Sequence, residues 1–228
     1  MVYYTYHYQN EGQGTDMEIV SRIIPSRLAN GVEMRVFPGH YATNHSHVNY
    51  YVDLTDIKVR HKIARQTAEE LAVTYSSTFI DTIICLEGTE LVGGFMAAAL
   101  AQSSVLELND DVDISVITPT VSTKRQFIFL DNTKQIIENK SILLLVSWAS
   151  TGRTIYRAIE SLKYYGGHLA GISALFSVVD EIDGYPVHAA FTLEDLPDYR
   201  SYEHGTCEMC GQGEKLSAVI NSQGYFKI

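Results

Sequence analysis

Ser141-Ile-Leu-Leu-Leu-Val-Ser-Trp-Ala-Ser-Thr-Gly-Arg-Thr154 is the stretch on which the reading of this chain turns. Ile142–Val146 is uniformly apolar, as a parallel strand buried on both faces must be. It runs into a Ser-Thr-Gly-Arg-Thr turn, and Ile155, Ala158, Ile159 and Leu162 then mark a helix at 3.6-residue spacing. In open α/β sheets ligands gather beyond the carboxyl ends of strands. A helix N-terminus there offers unpaired N–H groups and a partial positive charge of roughly half a unit. Gly152 lets backbone approach an anion, Ser150, Thr151 and Thr154 add hydroxyl donors, and Arg153 adds a formal charge. The same residues also suit a plain strand-to-helix turn capped by Ser and Thr, and both readings stay open at this point.

Working outward, the pattern alternates. Thr82–Leu86 reads as a buried strand and Leu91–Ala101 as a small-residue helix behind it. Asp113–Thr118 and Gln126–Leu130 read as strands, Gly166-Gly167 stops the helix after Thr154, and Leu169–Val179 resumes as strand. Such alternation predicts an α/β fold with a parallel central sheet flanked by helices. Towards the start, Thr15-Asp-Met-Glu18 has capping-box spacing ahead of Ile19, Val20, Ile23, Ile24 and Leu28, which predicts a helix interrupted at Pro25. Strands are expected around Glu33–Phe37 and Asn49–Asp53, and one amphipathic helix over Ile57–Val73. The chain is read as a single domain, 1–228, with a core of about 76–184. The flanks, about 1–75 and 185–228, are expected to cap the sheet's edge.

The composition narrows the function. Seventeen Lys and Arg against 27 Asp and Glu give a net charge of −10, a field that disfavours nucleic acid and anionic membrane. A small anion remains compatible, because local backbone dipoles can outweigh a distant net charge. No apolar run approaches the ~18 residues of a membrane span, and Met1–Gly12 lacks the basic and apolar regions of a signal peptide. Three cysteines do not make a secreted disulfide framework, so the cytoplasm is the expected location.

The Ser141–Thr154 segment resembles the ribose-phosphate motif of type I phosphoribosyltransferases, an apolar strand leading through an acidic pair into a Thr/Gly turn. Other parts fall in that family's order. Asp81-Thr-Ile-Ile-Cys-Leu-Glu-Gly-Thr-Glu-Leu-Val-Gly-Gly94 resembles its pyrophosphate loop and following helix, and Tyr50-Tyr-Val-Asp53 resembles the N-terminal hood of the orotate branch. Lys124-Arg125 lies where that branch has a basic loop that closes over substrate. The resemblance implies that Ser150, Thr151, Gly152, Arg153 and Thr154 hold the 5′-phosphate of phosphoribosyl pyrophosphate or of a nucleoside monophosphate. It implies that Glu87, Gly88 and Thr89 approach pyrophosphate, that Lys124 and Arg125 act at the leaving group, and that Mg2+ and a homodimer are involved. It further implies transfer of ribose 5-phosphate to a pyrimidine-type base. Two positions depart from the pattern. Val146 and Ser147 fall where the family carries its acidic pair, and Asp180-Glu181 replaces the orotate branch's Asp-Arg. The first departure motivates the alternative of a non-catalytic nucleotide-binding or regulatory protein on the same fold.

Two smaller constellations stand apart. Cys207-Glu-Met-Cys210, with a glycine on either side, is a knuckle that offers two thiolates to Zn2+, with His204 as a further ligand. Unliganded thiols and a redox pair are the other readings. His45 and His47, near His40, share one face of a strand, where solvation, substrate contact and metal binding all compete. Alternate tyrosines at Tyr4, Tyr6 and Tyr8 suit a strand at an edge or interface.

Overall fold

The computed structural model describes residues 3–6, 19–28, 30–102, 108–109, 112–203, 205–222 and 224–228. Its first elements are β1 (Tyr3–Tyr6), β2 (Ile19–Pro25), β3 (Glu33–Ala42) and β4 (Ser46–Asp53), followed by α1 (Thr55–Val59) and α2 (His61–Val73). The alternating unit comes next: β5 (Thr82–Cys85), α3 (Glu90–Gln102), β6 (Ser115–Ile117), β7 (Thr120–Val121), β8 (Phe127–Ile128), β9 (Ser141–Ala149), α4 (Arg153–Tyr164) and β10 (His168–Ser177). The chain closes with β11 (Glu181–Ile182), β12 (Tyr185–Thr192), β13 (Ser201–Glu203), α5 (Glu208–Gly211), β14 (Ala218–Asn221) and β15 (Gly224–Lys227).

Five strands form the parallel part of the central sheet, in the order β12-β10-β9-β5-β6, with β11 antiparallel at one edge. The middle strand, β9, explains the apolar run of the sequence. Its Leu143 and Leu145 pack with Ala68, Leu71, Val92 and Met96 of α2 and α3. Ile142, Leu144 and Val146 point the other way, against Ile155, Ala158, Ile159 and Leu162 of α4. A strand covered on both faces has no polar side to show.

The second sheet has seven strands and draws on both ends of the chain. β3 pairs antiparallel with β2 and β4, and parallel with β14 through Tyr41↔Ala218 and Ala42↔Val219. β13 adds to β4, and β15 to β14.

Several expectations change. Ile19–Pro25 is a strand, not a helix: its β-branched residues suit a pleat between β1 and β3, and Pro25 sits at the strand's end. The Thr15–Glu18 signal lies outside the described residues. The helix expected over Ile57–Val73 is two helices, because Arg60 is extended (φ −95°, ψ 110°) and separates them. Tyr185–Thr192, placed in the flank by sequence pattern, is a parallel strand of the central sheet. Phe127–Ile128 pairs with Thr120–Val121 in a separate hairpin instead of joining that sheet.

Candidate functional site: a cleft at the topological switch

From β5 the chain crosses to β6 on one side, whereas from β9 it crosses to β10 and then β12 on the other. The carboxyl ends of β5 and β9 therefore bound a crevice where the connections diverge, the place where open α/β sheets take ligands. A cleft of about 250 Å³ lies there. Ser147–Ile155 lines it from β9 and α4, and Glu87 lines it from the end of β5. The second sheet supplies the opposite wall through the β3–β4 turn, Thr43–Ser46, and the β14–β15 turn, Asn221–Ser222.

The turn expected to cradle a phosphate faces this space in full: Ser150, Thr151, Gly152, Arg153 and Thr154 all line it. Gly152 is the N-cap of α4, sits in the left-handed region (φ 71°), and no side chain caps the helix. A Cβ at Gly152 would meet Ile182 Cδ1 at 3.1 Å and Tyr156 Cε2 at 3.2 Å, so both conformation and space select glycine. Tyr156 N–H bonds to Gly152 O at 2.8 Å and begins the helical ladder. The N–H groups of the first turn, with the dipole behind them, are directed out of the end of the helix. Arg153 and Arg157 bring two guanidinium groups to the same cleft.

Across from this turn, Glu87 occupies a left-handed backbone conformation (φ 62°), followed by Gly88 (φ 83°). A non-glycine residue there is uncommon, and such strain collects at functional sites. The Glu87 carboxylate accepts the Trp148 N–H at 3.3 Å. Burial pushes its pKa up, opposed by that N–H, by the nearby Lys58 and by the Ser147 N–H. Burial lowers the pKa of Lys58 in turn, opposed by the charges of Glu87, Asp53 and Glu90. Trp148 stacks on Phe176 (4.4 Å between centroids) and leans on Tyr199, and both Trp148 and Tyr199 line the cleft.

Other expected residues lie elsewhere. Gly88 and Thr89 do not line the cleft: the Thr89 hydroxyl is buried and donates to Leu86 O and Leu145 O, bracing the loop behind Glu87. Lys124 and Arg125 sit exposed on the β7–β8 turn, outside the lining. Asp180 is exposed, outside it too, and its carbonyl accepts the Val187 N–H. Val146 and Ser147 separate by strand alternation, Val146 buried beneath α4 and Ser147 turned to the cleft. His204 and Tyr8 lie outside the described residues. Cys207 and Cys210 instead meet His40 and His47, with all four potential ligand atoms within 4.8 Å of one another. Sequence reasoning missed Lys58 and Arg157 in the cleft. Each is a cation on a helix of ordinary composition, and nothing local marks it.

No family model matches the sequence, and no curated protein matches it. Solved structures do. The orotate phosphoribosyltransferase of Mycobacterium tuberculosis H37Rv, in complex with Fe(III) dicitrate, aligns at TM-score 0.49 and 14% identity over 66% of this chain and 84% of its own. A phosphoribosyltransferase from Corynebacterium diphtheriae aligns at 0.48 and 16%, over 69% and 89%. The adenine phosphoribosyltransferase of Rhodothermus marinus DSM 4252 aligns at 0.48 and 16%, over 76% and 94%. By its own topology the chain is an α/β protein with a cleft at its topological switch. No helix among the described residues is long and apolar enough to cross a membrane.

Proposed function

We propose that this chain is a phosphoribosyltransferase-like protein that takes the 5′-phosphate of phosphoribosyl pyrophosphate, or of a nucleoside monophosphate, in the Ser150–Thr154 turn. One observation carries the reading: an uncapped helix N-terminus with a left-handed glycine opens into a cleft at the topological switch. Backbone N–H groups and the helix dipole supply the anion site. Ser150, Thr151, Arg153 and Thr154 line the same space and would add hydroxyl donors and a positive charge.

Binding without transfer is favoured at the sugar. A ribose approaching Ser147 meets a hydroxyl where the resembling family places a carboxylate, and Val146 is turned into the core. Carboxylates that act on a developing oxocarbenium charge are commonly worth ~10²–10⁴ in rate. Transfer to a pyrimidine-type base is the second reading, and Glu87 supports it. A carboxyl in the cleft whose burial raises its pKa is a candidate for moving a proton. Mg2+ would be carried chiefly by the ligand's phosphates, with Asp53 and Glu87 the carboxylates among the described lining residues; their hydrogen bonds to the Thr55 and Trp148 N–H groups leave each further lone pairs for it.

Trp148 is the chain's only tryptophan and lines the cleft, so its fluorescence reports occupancy directly. Titration with phosphoribosyl pyrophosphate and with nucleoside monophosphates, with and without Mg2+ and matched by calorimetry, tests the reading. A saturable response weakened by Arg153→Ala and Thr154→Val supports it; a response indifferent to both variants, or none, overturns it. Pyrophosphate release on adding a panel of bases separates transfer from binding.

A further inference from the structure

We propose that His40, His47, Cys207 and Cys210 form a closed four-ligand site for one Zn2+. The four side chains come from three segments that the fold alone brings together: the end of β3, the start of β4, and the knuckle that contains α5. His40 Nε2 lies 3.0 Å from His47 Nδ1, 3.5 Å from Cys207 Sγ and 3.6 Å from Cys210 Sγ, and Cys210 Sγ lies 3.2 Å from His47 Nδ1. A tetrahedral Zn2+ with Zn–S of ~2.3 Å and Zn–N of ~2.0–2.1 Å sets S···N separations of about 3.5 Å and N···N of about 3.3 Å. These four spacings, 3.0–3.6 Å, fall around those values, and the remaining pairs lie within 4.8 Å.

The far side of the His40 ring suits a metal ligand. Its Nδ1 lies 3.0 Å from the carbonyl oxygen of Glu214, which can only accept. A neutral His40 therefore carries its proton on Nδ1 and a single lone pair on Nε2. Three groups converge on that one lone pair. Cys210 Sγ also lies against His47 Nδ1, and a cation at the centre takes an electron pair from all four groups at once. A backbone carbonyl on the far ring nitrogen is also the usual support of a metal-bound histidine, fixing tautomer and ring orientation. His40 and Cys207 are 2% and 6% exposed, so two of the four ligand groups are already withdrawn from water, while Cys210 stands at the surface. The donor set contains thiols and imidazoles and no carboxylate, which selects Zn2+ over Mg2+ or Ca2+.

With all four positions filled by protein, the ion's role is structural. It fastens the C-terminal knuckle to the second sheet. Ser217 strengthens the same join, its N–H donating to His40 O at 2.7 Å and its hydroxyl accepting the His40 N–H at 3.3 Å. The turn between the two histidines, Thr43–Ser46, is part of the cleft wall. The ion thus holds one side of the cleft without touching what the cleft binds.

The full chain, purified under reducing conditions without chelator and analysed by mass spectrometry for metals, is expected to hold about one zinc per chain. Co2+ exchanged into the site is expected to give the visible absorption of a tetrahedral thiolate centre. Cys210→Ser, at the exposed ligand, should lower zinc to below about a tenth per chain and abolish that spectrum. If the variant does not fold, the Co2+ spectrum of the wild-type chain decides. A folded wild-type chain that neither carries zinc nor takes up Zn2+ or Co2+ overturns the proposal, as does an unaltered metal content in folded Cys210→Ser. Metal content is read without any phosphate ligand, so this result is independent of what the cleft binds.

Discussion

Lys58 Nζ donates to the carbonyl oxygen of Ser222 at 2.6 Å, joining α1 to the β14–β15 turn at the cleft. The same ammonium lies near Glu87, so one cation ties the cleft's floor to its roof. Lys58→Met should lose both the tie and a positive charge facing an anionic ligand. Charged hydrogen bonds are commonly worth ~1.5–3 kcal/mol, so affinity for a nucleoside monophosphate should fall about tenfold or more, read from Trp148 fluorescence.

Gly152→Ala should strike both stability and binding. Its φ of 71° disfavours a side chain, and the new Cβ would press on Ile182 and Tyr156. A loss of about 1–2 kcal/mol in urea unfolding is expected, with ligand affinity reduced further because the first turn of α4 must shift. A variant as stable and as tightly binding as the parent would contradict the role given to this turn.

Glu87 makes stability depend on pH with a definite sign. Its folded pKa is raised by burial above the ordinary carboxylate value of 4.5, so the folded state holds the proton more tightly than the unfolded state. Stability is then greatest at low pH with respect to this group, and declines as pH rises from the unfolded pKa through the folded one. Glu87→Gln should flatten that slope and leave the chain more stable at neutral pH, measured by denaturant midpoints across the range. An unchanged slope would place the proton elsewhere.

Val146 and Ser147 should answer differently to acidic substitution. Val146 is fully buried against α4, and Val146→Asp should cost at least ~3 kcal/mol of stability through an unpaired buried charge. Ser147 lines the cleft but is only 2% exposed and adjoins Glu87, so Ser147→Asp should lower the unfolding midpoint too, by less than Val146→Asp, and weaken nucleotide binding in the absence of Mg2+. Paired unfolding and binding curves distinguish the positions.

The central sheet was legible because its signals are local. Ile142–Val146 is apolar on both faces, and Ile155, Ala158, Ile159 and Leu162 repeat at helical spacing, so strand, turn and helix could be read in order. That the Ser150–Thr154 turn lies at the cleft followed from the same few residues. What could not be read depends on pairing at a distance. Ile19–Pro25 carries spacing that suits a helix, and only its neighbours β1 and β3 make it a strand. Cys207 and Cys210 stood out as a knuckle open to metal, free-thiol and redox readings, but the side chains they meet lie some 160 residues earlier, at His40 and His47, where sequence offered only clustered imidazoles. Lys58 reaches the cleft because of where α1 breaks from α2, which no residue type at Arg60 foretells.

Because β14 adds to β3 through Tyr41↔Ala218 and Ala42↔Val219, the second sheet joins strands far apart in sequence. The contacts of β5, β9 and α4 lie closer together along the chain, and closing so long a loop is expected to come late. The central layer is thus expected to condense first, its cleft corner open to solvent until the distant strands pair. In this architecture the chamber's far wall is the last thing built.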